Sequence, residues 1–424
     1  MMNRRTFINN LAVGGTALSL SPTMRSFAAQ KQENLRLALI GKGGMGTADC
    51  NTALRVPGVA LVAVCDVYKP RLEDAKKQWG NHLKLERDYR NILNDPQIDA
   101  VIIATPDHWH QKIAVEALKK GKHVYCEKPI IHKRSEAKAL IKAQQESGKV
   151  FQMGTQGVSA VGMQLAKALL QEGVIGDLNF VDARFSASPG ALNSFHAPAE
   201  ATEANLWWDQ FLGEAPKKPF TPQRFFAWRN WSDYGTGLAG DLFVHVLASI
   251  HYITGCNKPL KVYSDGDILY YKDGSRDTPD LIYSLFDYAM PQGANHFKMS
   301  LGANVLDGIS NSWGSTDFNM VGLKGAMRVN WDAVQVKTTA ATAVAGLEQK
   351  LQAIPGFGGI TKISDNEYRF TAKAGYPDAH FLHFQNFFDA ARNGTKNIAP
   401  VEFGVNASAA ALMSFESQMK NQII

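Results

Sequence analysis

The sequence predicts an α/β protein in two parts. The first is an N-terminal domain of alternating parallel strands and helices. The second is a C-terminal α+β domain with a large open, mostly antiparallel sheet. Three observations predict this. An apolar run, Leu35–Ile40, ends in a glycine-rich turn, a helix-compatible stretch follows, and a second apolar run over 59–65 closes on Asp66. Between 71 and 155, short continuous apolar runs alternate with helical spacing, as buried parallel strands and their crossover helices do. Beyond 155 the runs lengthen and alternate polar with apolar, the mark of half-exposed antiparallel strands. With 424 residues, 45% of them apolar and 20% charged, two globular domains are the natural expectation.

Residues 1–28 read as a leader. Arg4-Arg5-Thr6-Phe7-Ile8 is a twin-arginine signature. The weakly apolar stretch over 11–20 is too short to span a bilayer, and Ser26-Phe27-Ala28 offers the small residues a signal peptidase needs. The mature protein is therefore expected outside the cytoplasm, with no integral membrane segment. Losing Arg4, Arg5 and Arg25 lowers the net charge from +6 to +3. With no Lys/Arg cluster interleaved with aromatics, nucleic acid is not an expected partner. Four cysteines (Cys50, Cys65, Cys126 and Cys256) show neither zinc nor disulfide spacing, so buried thiols are expected and no metal site.

The first strand–helix–strand unit carries Gly41-Lys42-Gly43-Gly44-Met45-Gly46 at its turn. Gly41 suits the tight turn, Gly43 the close approach of backbone to a pyrophosphate, and Gly46 close helix–strand packing. The helix start offers free N–H groups to phosphates, and Asp66 stands about 20 residues on, where a carboxylate accepts ribose hydroxyls. Residues 34–155 are thus expected to form a Rossmann dinucleotide-binding domain, taking NAD(H) in preference to NADP. NADP stays possible because Lys69 and Arg71 follow Asp66. Helices are expected over 71–79, 88–93, 111–120 and 135–147, and strands over 100–104, 123–126 and 150–153. Ligands lie at the carboxyl ends of such strands. That places Gly41, Gly43, Gly44, Met45, Gly46, Asp66, Thr105, Pro106, His108, His110, Glu127, Lys128 and Gln156 along the cofactor. His108 and His110 flank Trp109 and mimic a metal pair, but one is expected to cap or pack and the other to touch the cofactor ribose.

Residues 156–424 form the expected second domain, for substrate and oligomerisation. Helices are expected over 162–172, around 347–351, over 380–392 and over 404–420. Strands are expected over 178–185, 260–271, 281–288, 296–301, 317–323 and 326–331; the rest of 338–366 gives no clear pattern. A flexible lead-in, Gly235 to Gly240, delivers a helix beginning at Asp241, with His245 one turn on and on the same face. An acid and an imidazole so placed suit proton transfer, but on the helix alone a dipole-facing carboxylate beside a packed histidine is the favoured reading. Lys128 ends a strand before Pro129, either as a solvated charge or as a cation beside the nicotinamide.

These residues resemble the glucose–fructose oxidoreductase/inositol dehydrogenase family, Gfo/Idh/MocA, over essentially the whole mature chain. The carriers are Gly41–Gly46, Asp66, Thr105-Pro106 to His110, His123-Val124-Tyr125-Cys126-Glu127-Lys128-Pro129, and Gly240-Asp241 to His245. The segment 208–235, with its Trp228-Arg229-Asn230-Trp231, is similar to an exported bacterial branch rather than to the inositol dehydrogenases themselves. The resemblance implies a catalytic group of Lys128, Asp241 and His245, with His245 as base, Asp241 orienting it or a neighbouring hydroxyl, and Lys128 stabilising the alkoxide. Trp208, Trp228, Arg229 and Tyr234 are the candidates for a carbohydrate subsite. The implied activity is oxidation of a sugar CH–OH, with hydride passing to a nicotinamide cofactor. Export implies that the cofactor is tightly bound, since no pool of free NAD is expected there. Two alternatives are a redox-neutral NAD-dependent glycosidase, with Tyr234 or His196 available as a further base, and a non-catalytic sugar-binding protein. A homo-oligomer, dimer or tetramer, through the open sheet face is also implied.

Overall fold

The structure is a computed structural model that describes residues 34–187, 196–291, 295–305, 317–339, 344 and 346–424. The expected leader, residues 1–28, lies outside the described residues. Among the described residues there are two sheets. The first is built from β1 (Leu35–Ile40), β2 (Val59–Cys65), β3 (Lys84–Glu86), β4 (Ala100–Ile103), β5 (His123–Glu127) and β6 (Phe151–Gly154), in the order β3-β2-β1-β4-β5-β6. Its pairs are all parallel. The order reverses at β1, so the β1/β4 cleft is the switch point where α/β sheets bind ligands. Helices α1 (Gly44–Ala53), α2 (Lys69–Trp79), α3 (Tyr89–Leu93), α4 (Asp107–Lys119) and α5 (Ala137–Ser147) connect the strands.

The glycine turn is required sterically. Gly41 has φ +97°, and a Cβ there would stand 2.5 Å from the Ala104 carbonyl oxygen. A Cβ on Gly46 would lie 2.0 Å from the Gly41 oxygen. Helix α4 begins four residues before the expected Gln111. Pro106 is extended (φ −60°, ψ 154°) and caps it, and Asp107 puts a carboxylate in the first turn, where the helix dipole favours it. His108 and His110 are therefore helical residues, not loop residues.

After α6 (Val161–Gln171), β7 (Leu178–Ser186) enters the second sheet. Short helices α7 (Trp208–Leu212) and α8 (Pro222–Phe226) precede α9 (Val244–Thr254), and strands β8 (Lys261–Asp267), β9 (Leu281–Ala289), β10 (His296–Asn304), β11 (Phe318–Gly322), β12 (Gly325–Val329) and β13 (Ala333–Thr338) follow. Helix α10 (Leu347–Leu351), strands β14 (Phe357–Ser364) and β15 (Glu367–Ala372), and helices α11 (Ala379–Asn393) and α12 (Val401–Lys420) complete the chain. The sheet order is β14-β15-β13-β12-β11-β7-β10-β9-β8, antiparallel except for β7 against β10.

Three expectations are corrected here. The strand expected to reach Tyr271 stops at Asp267, because the N–H groups of Leu269, Tyr270 and Tyr271 turn to the Asp280 carboxylate (2.9, 2.9 and 3.1 Å). The unreadable stretch over 338–366 contains the edge strand β14, whose side chains are mostly exposed, so it gives no apolar alternation. The lead-in to Asp241 is helical from Gly237 on, with a π-turn over Ala239–Phe243. A Cβ on Gly240 would meet Thr236 Oγ1 at 1.8 Å, so that glycine serves close packing.

Helix α11 returns to the first sheet. Phe384, Phe387 and Phe388 join the core of Leu37, Leu39 and Tyr125, and Phe384 stacks on Tyr125 at 4.3 Å between ring centroids. All four cysteines are buried, unpaired thiols.

Candidate active site

The β1/β4 switch point opens into a cavity of about 1030 Å³, part of it open to solvent. Gly41, Gly43, Gly44 and Met45 line one wall. Nothing lies within 4 Å of where a Cβ would stand on Gly43 or Gly44, which leaves the cradle a pyrophosphate needs. At the end of β2, Asp66 accepts from the Lys42 N–H (2.8 Å) and the Tyr68 N–H (2.9 Å), with Arg71 Nη1 at 3.5 Å. Backbone donors thus fix this buried carboxylate beside the cavity, where the remaining lone pairs suit ribose hydroxyls. Arg71 and Arg87 line the same end. This set of residues fits a dinucleotide.

At the other end, Lys128 comes off β5 and meets the π-turn before α9. Its Nζ donates to the Asp241 carboxylate (2.8 Å) and to the Asp241 carbonyl (2.5 Å). Arg229 Nε reaches both Asp241 oxygens (3.3 and 3.2 Å), and its guanidinium lies 4.2 Å from the Trp228 ring. Burial works against the Asp241 charge, yet the Lys128 ammonium and the Arg229 guanidinium outweigh it and hold this carboxyl well below the usual range. Burial, aided by Lys128, lowers His245 to about 3, so its imidazole is neutral. Asp241 is committed to the two cations, and no hydrogen bond joins it to His245 among the described residues.

Behind Lys128 lies an acid pair the sequence reading missed. Gln156 Nε2 donates to Glu127 Oε1 and to the Tyr125 hydroxyl (both 2.9 Å) and approaches Asp49 Oδ1 at 3.5 Å. Burial raises both carboxyls, and Glu127 raises Asp49 further, because two buried carboxylates do not both ionise at this range. The signal was an acid on the otherwise small-residue buried face of α1, beside Cys50 and Ala53. Asp107 is likewise pushed up to about 6 by burial, then by Asp241, while the Thr236 hydroxyl donates to it at 2.7 Å.

Of the expected cofactor residues, Gly41, Gly43, Gly44, Met45, Asp66, Thr105, Pro106, His110, Glu127 and Lys128 line the cavity. Gly46 packs behind the turn, Gln156 sits behind Glu127, and His108 faces the Phe211 carbonyl (2.9 Å) and the Tyr234 carbonyl (3.3 Å). His110 lies between the Pro129 and Thr105 carbonyls (2.7 and 2.8 Å), so both histidines are tied to backbone. Trp228 and Arg229 line the cavity. Trp208 instead packs on Phe211 at 5.1 Å and donates to the Lys218 carbonyl, while Tyr234 is a fully buried member of the same aromatic cluster. Among the described residues no group of three or more His, Cys, Asp or Glu is arranged to hold a metal, and no helix is long and apolar enough to cross a membrane.

The sequence model of the oxidoreductase family with NAD-binding Rossmann fold, Gfo/Idh/MocA, matches residues 35–155. A levoglucosan dehydrogenase of Pseudarthrobacter phenanthrenivorans is 28% identical over 232 residues, 53% of this chain and 52% of that protein. Glycosyl hydrolase family 109 protein 1 of Shewanella sp. is 26% identical over 190 residues, 42% of this chain and 41% of that protein. These matches span about half the length of the curated relatives or less. A solved structure of levoglucosan dehydrogenase, in complex with NADH and levoglucosan, is 20% identical and superposes over 92% of this chain and 99% of its own, with a TM-score of 0.68; the fold is shared.

Proposed function

We propose, from the premise that this chain belongs through residues 35–155 to the Gfo/Idh/MocA oxidoreductase family, that it oxidises a CH–OH group of a sugar or glycoside with NAD(H). The observation that carries this reading is the meeting of Lys128 with Asp241 and Arg229 at the inner end of the cavity. When bound, NAD supplies the hydride acceptor. Neutral His245 is in the state needed to take a proton from a substrate hydroxyl. Lys128 offers its ammonium to the developing alkoxide. Asp241 positions that ammonium through both its carboxylate and its carbonyl. Trp228 and Arg229 present an aromatic face and a polar fork to the sugar.

The test begins with mature protein purified without added nucleotide. It is denatured, and any released dinucleotide is identified by chromatography and absorbance. Near-stoichiometric NAD(H) is the expected outcome, followed by NAD-dependent oxidation across a sugar panel that Lys128→Ala abolishes. A protein that binds neither NAD nor NADP sinks the reading, and a Lys128→Ala variant with full sugar affinity and no wild-type turnover to lose favours a sensor.

The family 109 relative supports a second reading, a redox-neutral glycosidase. Release of a chromogenic aglycone without net NAD reduction distinguishes it. Export through the twin-arginine route is also proposed, on Arg4-Arg5 and Ser26-Phe27-Ala28; a periplasmic fraction lost on Arg4→Lys/Arg5→Lys substitution tests it. Homo-oligomerisation is supported by exposed Tyr263, Tyr283 and Leu285 on the second sheet, and sedimentation tests it.

A further inference from the structure

The outer wall of the cofactor cavity is contributed by the second domain. Residues 205–236 fold back onto the first sheet's elements and are anchored at both ends of the cavity. At the ribose end, the Trp207 N–H donates to the Val67 carbonyl (3.0 Å) and the Lys69 N–H to the Asn205 carbonyl (2.9 Å). These bonds pair Leu206 with Tyr68 in an isolated antiparallel bridge, two residues past Asp66. At the other end, Trp109 Nε1 donates to the Phe211 carbonyl (2.8 Å), and Thr236 reaches Asp107. Between the anchors, the Arg71 guanidinium lies 5.0 Å from the Phe225 ring and 5.4 Å from the Phe226 ring. Tyr68, Leu206, Phe211, Leu212 and Phe225 form a hydrophobic core of their own behind it. A wall with its own core and two seams is a built element, not a loose loop.

We infer that this segment is a clasp that retains the dinucleotide: the cofactor leaves only when the seam at Val67–Lys69 or the cover of Phe225 and Phe226 opens. The inference rests on the NAD(H) reading above and adds where retention comes from. If the clasp keeps NAD(H) in place, a hydride taken up from one CH–OH would have to be given up within the same site before the next cycle. The chemistry then pairs two substrates, one CH–OH oxidised to a carbonyl and a second carbonyl reduced to CH–OH, or returns the hydride to the same sugar.

The full chain is loaded with NADH, desalted, and chased with excess NAD while NADH fluorescence is followed. Wild type is expected to keep near-stoichiometric NADH through desalting, and the Phe225→Ala/Phe226→Ala variant to release it at least about tenfold faster, since such contacts act mainly on dissociation. Complete release from wild type during desalting, or an unchanged rate in the variant, overturns the clasp. Should the variant not fold, amide exchange at Lys69 and Trp207 in wild type serves instead: slowing on NADH loading supports the clasp, and no slowing overturns it. A protein that binds NADH and NADPH at no concentration overturns the dinucleotide reading itself, whereas binding with fast release overturns the clasp alone.

Discussion

The two ends of the cavity are built in opposite ways. The setting of Asp66 is local: the glycine turn lies inside one strand–helix–strand unit, Asp66 directly follows it, Arg71 sits on the next helix, and backbone N–H groups hold the Asp66 carboxylate. The inner end is assembled from distant pieces, with Lys128, just past β5, and Arg229 both meeting the Asp241 turn, 113 residues beyond Lys128. The Asp66 carboxylate is held by nearby backbone, whereas the inner end exists only while Lys128 and the Asp241 turn, 113 residues apart, are in register. Affinity for the cofactor and competence for chemistry are therefore separable by mutation.

The largest effect is expected from Lys128→Met. Turnover should fall by on the order of a hundred- to a thousandfold, as when a preorganised cation or donor is removed from a developing oxyanion, while NADH titration gives near-normal binding. If cofactor binding falls as steeply as turnover, the separation fails. Asp241→Asn comes next. It leaves Lys128 and Arg229 facing each other without their shared carboxylate, and a loss of about a hundredfold in kcat is expected, with KM for NAD little changed in steady-state assays. At the other end, Asp66→Ala should raise the Kd for NAD by about tenfold, the scale of one or two lost ribose hydrogen bonds, and leave kcat at saturation within a few-fold. A fall in kcat matching that of Asp241→Asn would show that the two ends are coupled.

The smallest effect concerns Asp107, which sits at the inner anchor against Thr236 and whose pKa is raised to about 6. The protonated form is favoured in the folded state. Its contribution is present below pH ~4 and lost as pH rises through about 6. Asp107→Asn should therefore stabilise the protein at pH 7 by on the order of 1–3 kcal/mol and lose that advantage near pH 4. Urea denaturation at the two pH values measures it, and a gain of equal size at both would refute the assignment.

The same contrast explains what was legible in the sequence. The glycine turn, Asp66 and Glu127-Lys128 announce themselves because spacing along the chain sets their geometry. Asp241 and His245 were visible only as neighbours on a helix. That Asp241 serves Lys128 and Arg229 rather than the imidazole depends on a contact across 113 residues, which no local pattern encodes. Trp208 and Tyr234 looked like sugar-facing aromatics, yet they lie in the small core behind the wall; aromatic content does not say which side of a wall a ring faces. Phe225 and Phe226 face the cavity and carried no signal at all. Strand β14 escaped because an exposed edge needs no apolar face.

The return of α11 to the first sheet sets an order of events during synthesis. Phe384, Phe387 and Phe388 fill the core behind β1 and β5, so the first sheet is left with an open apolar face until residue 393 has left the ribosome. The glycine turn is translated early, but the fold that supports it closes last. Cofactor capture is then a late step that reports on a nearly finished chain, and a truncated product lacking α11 is expected to be both unstable and empty.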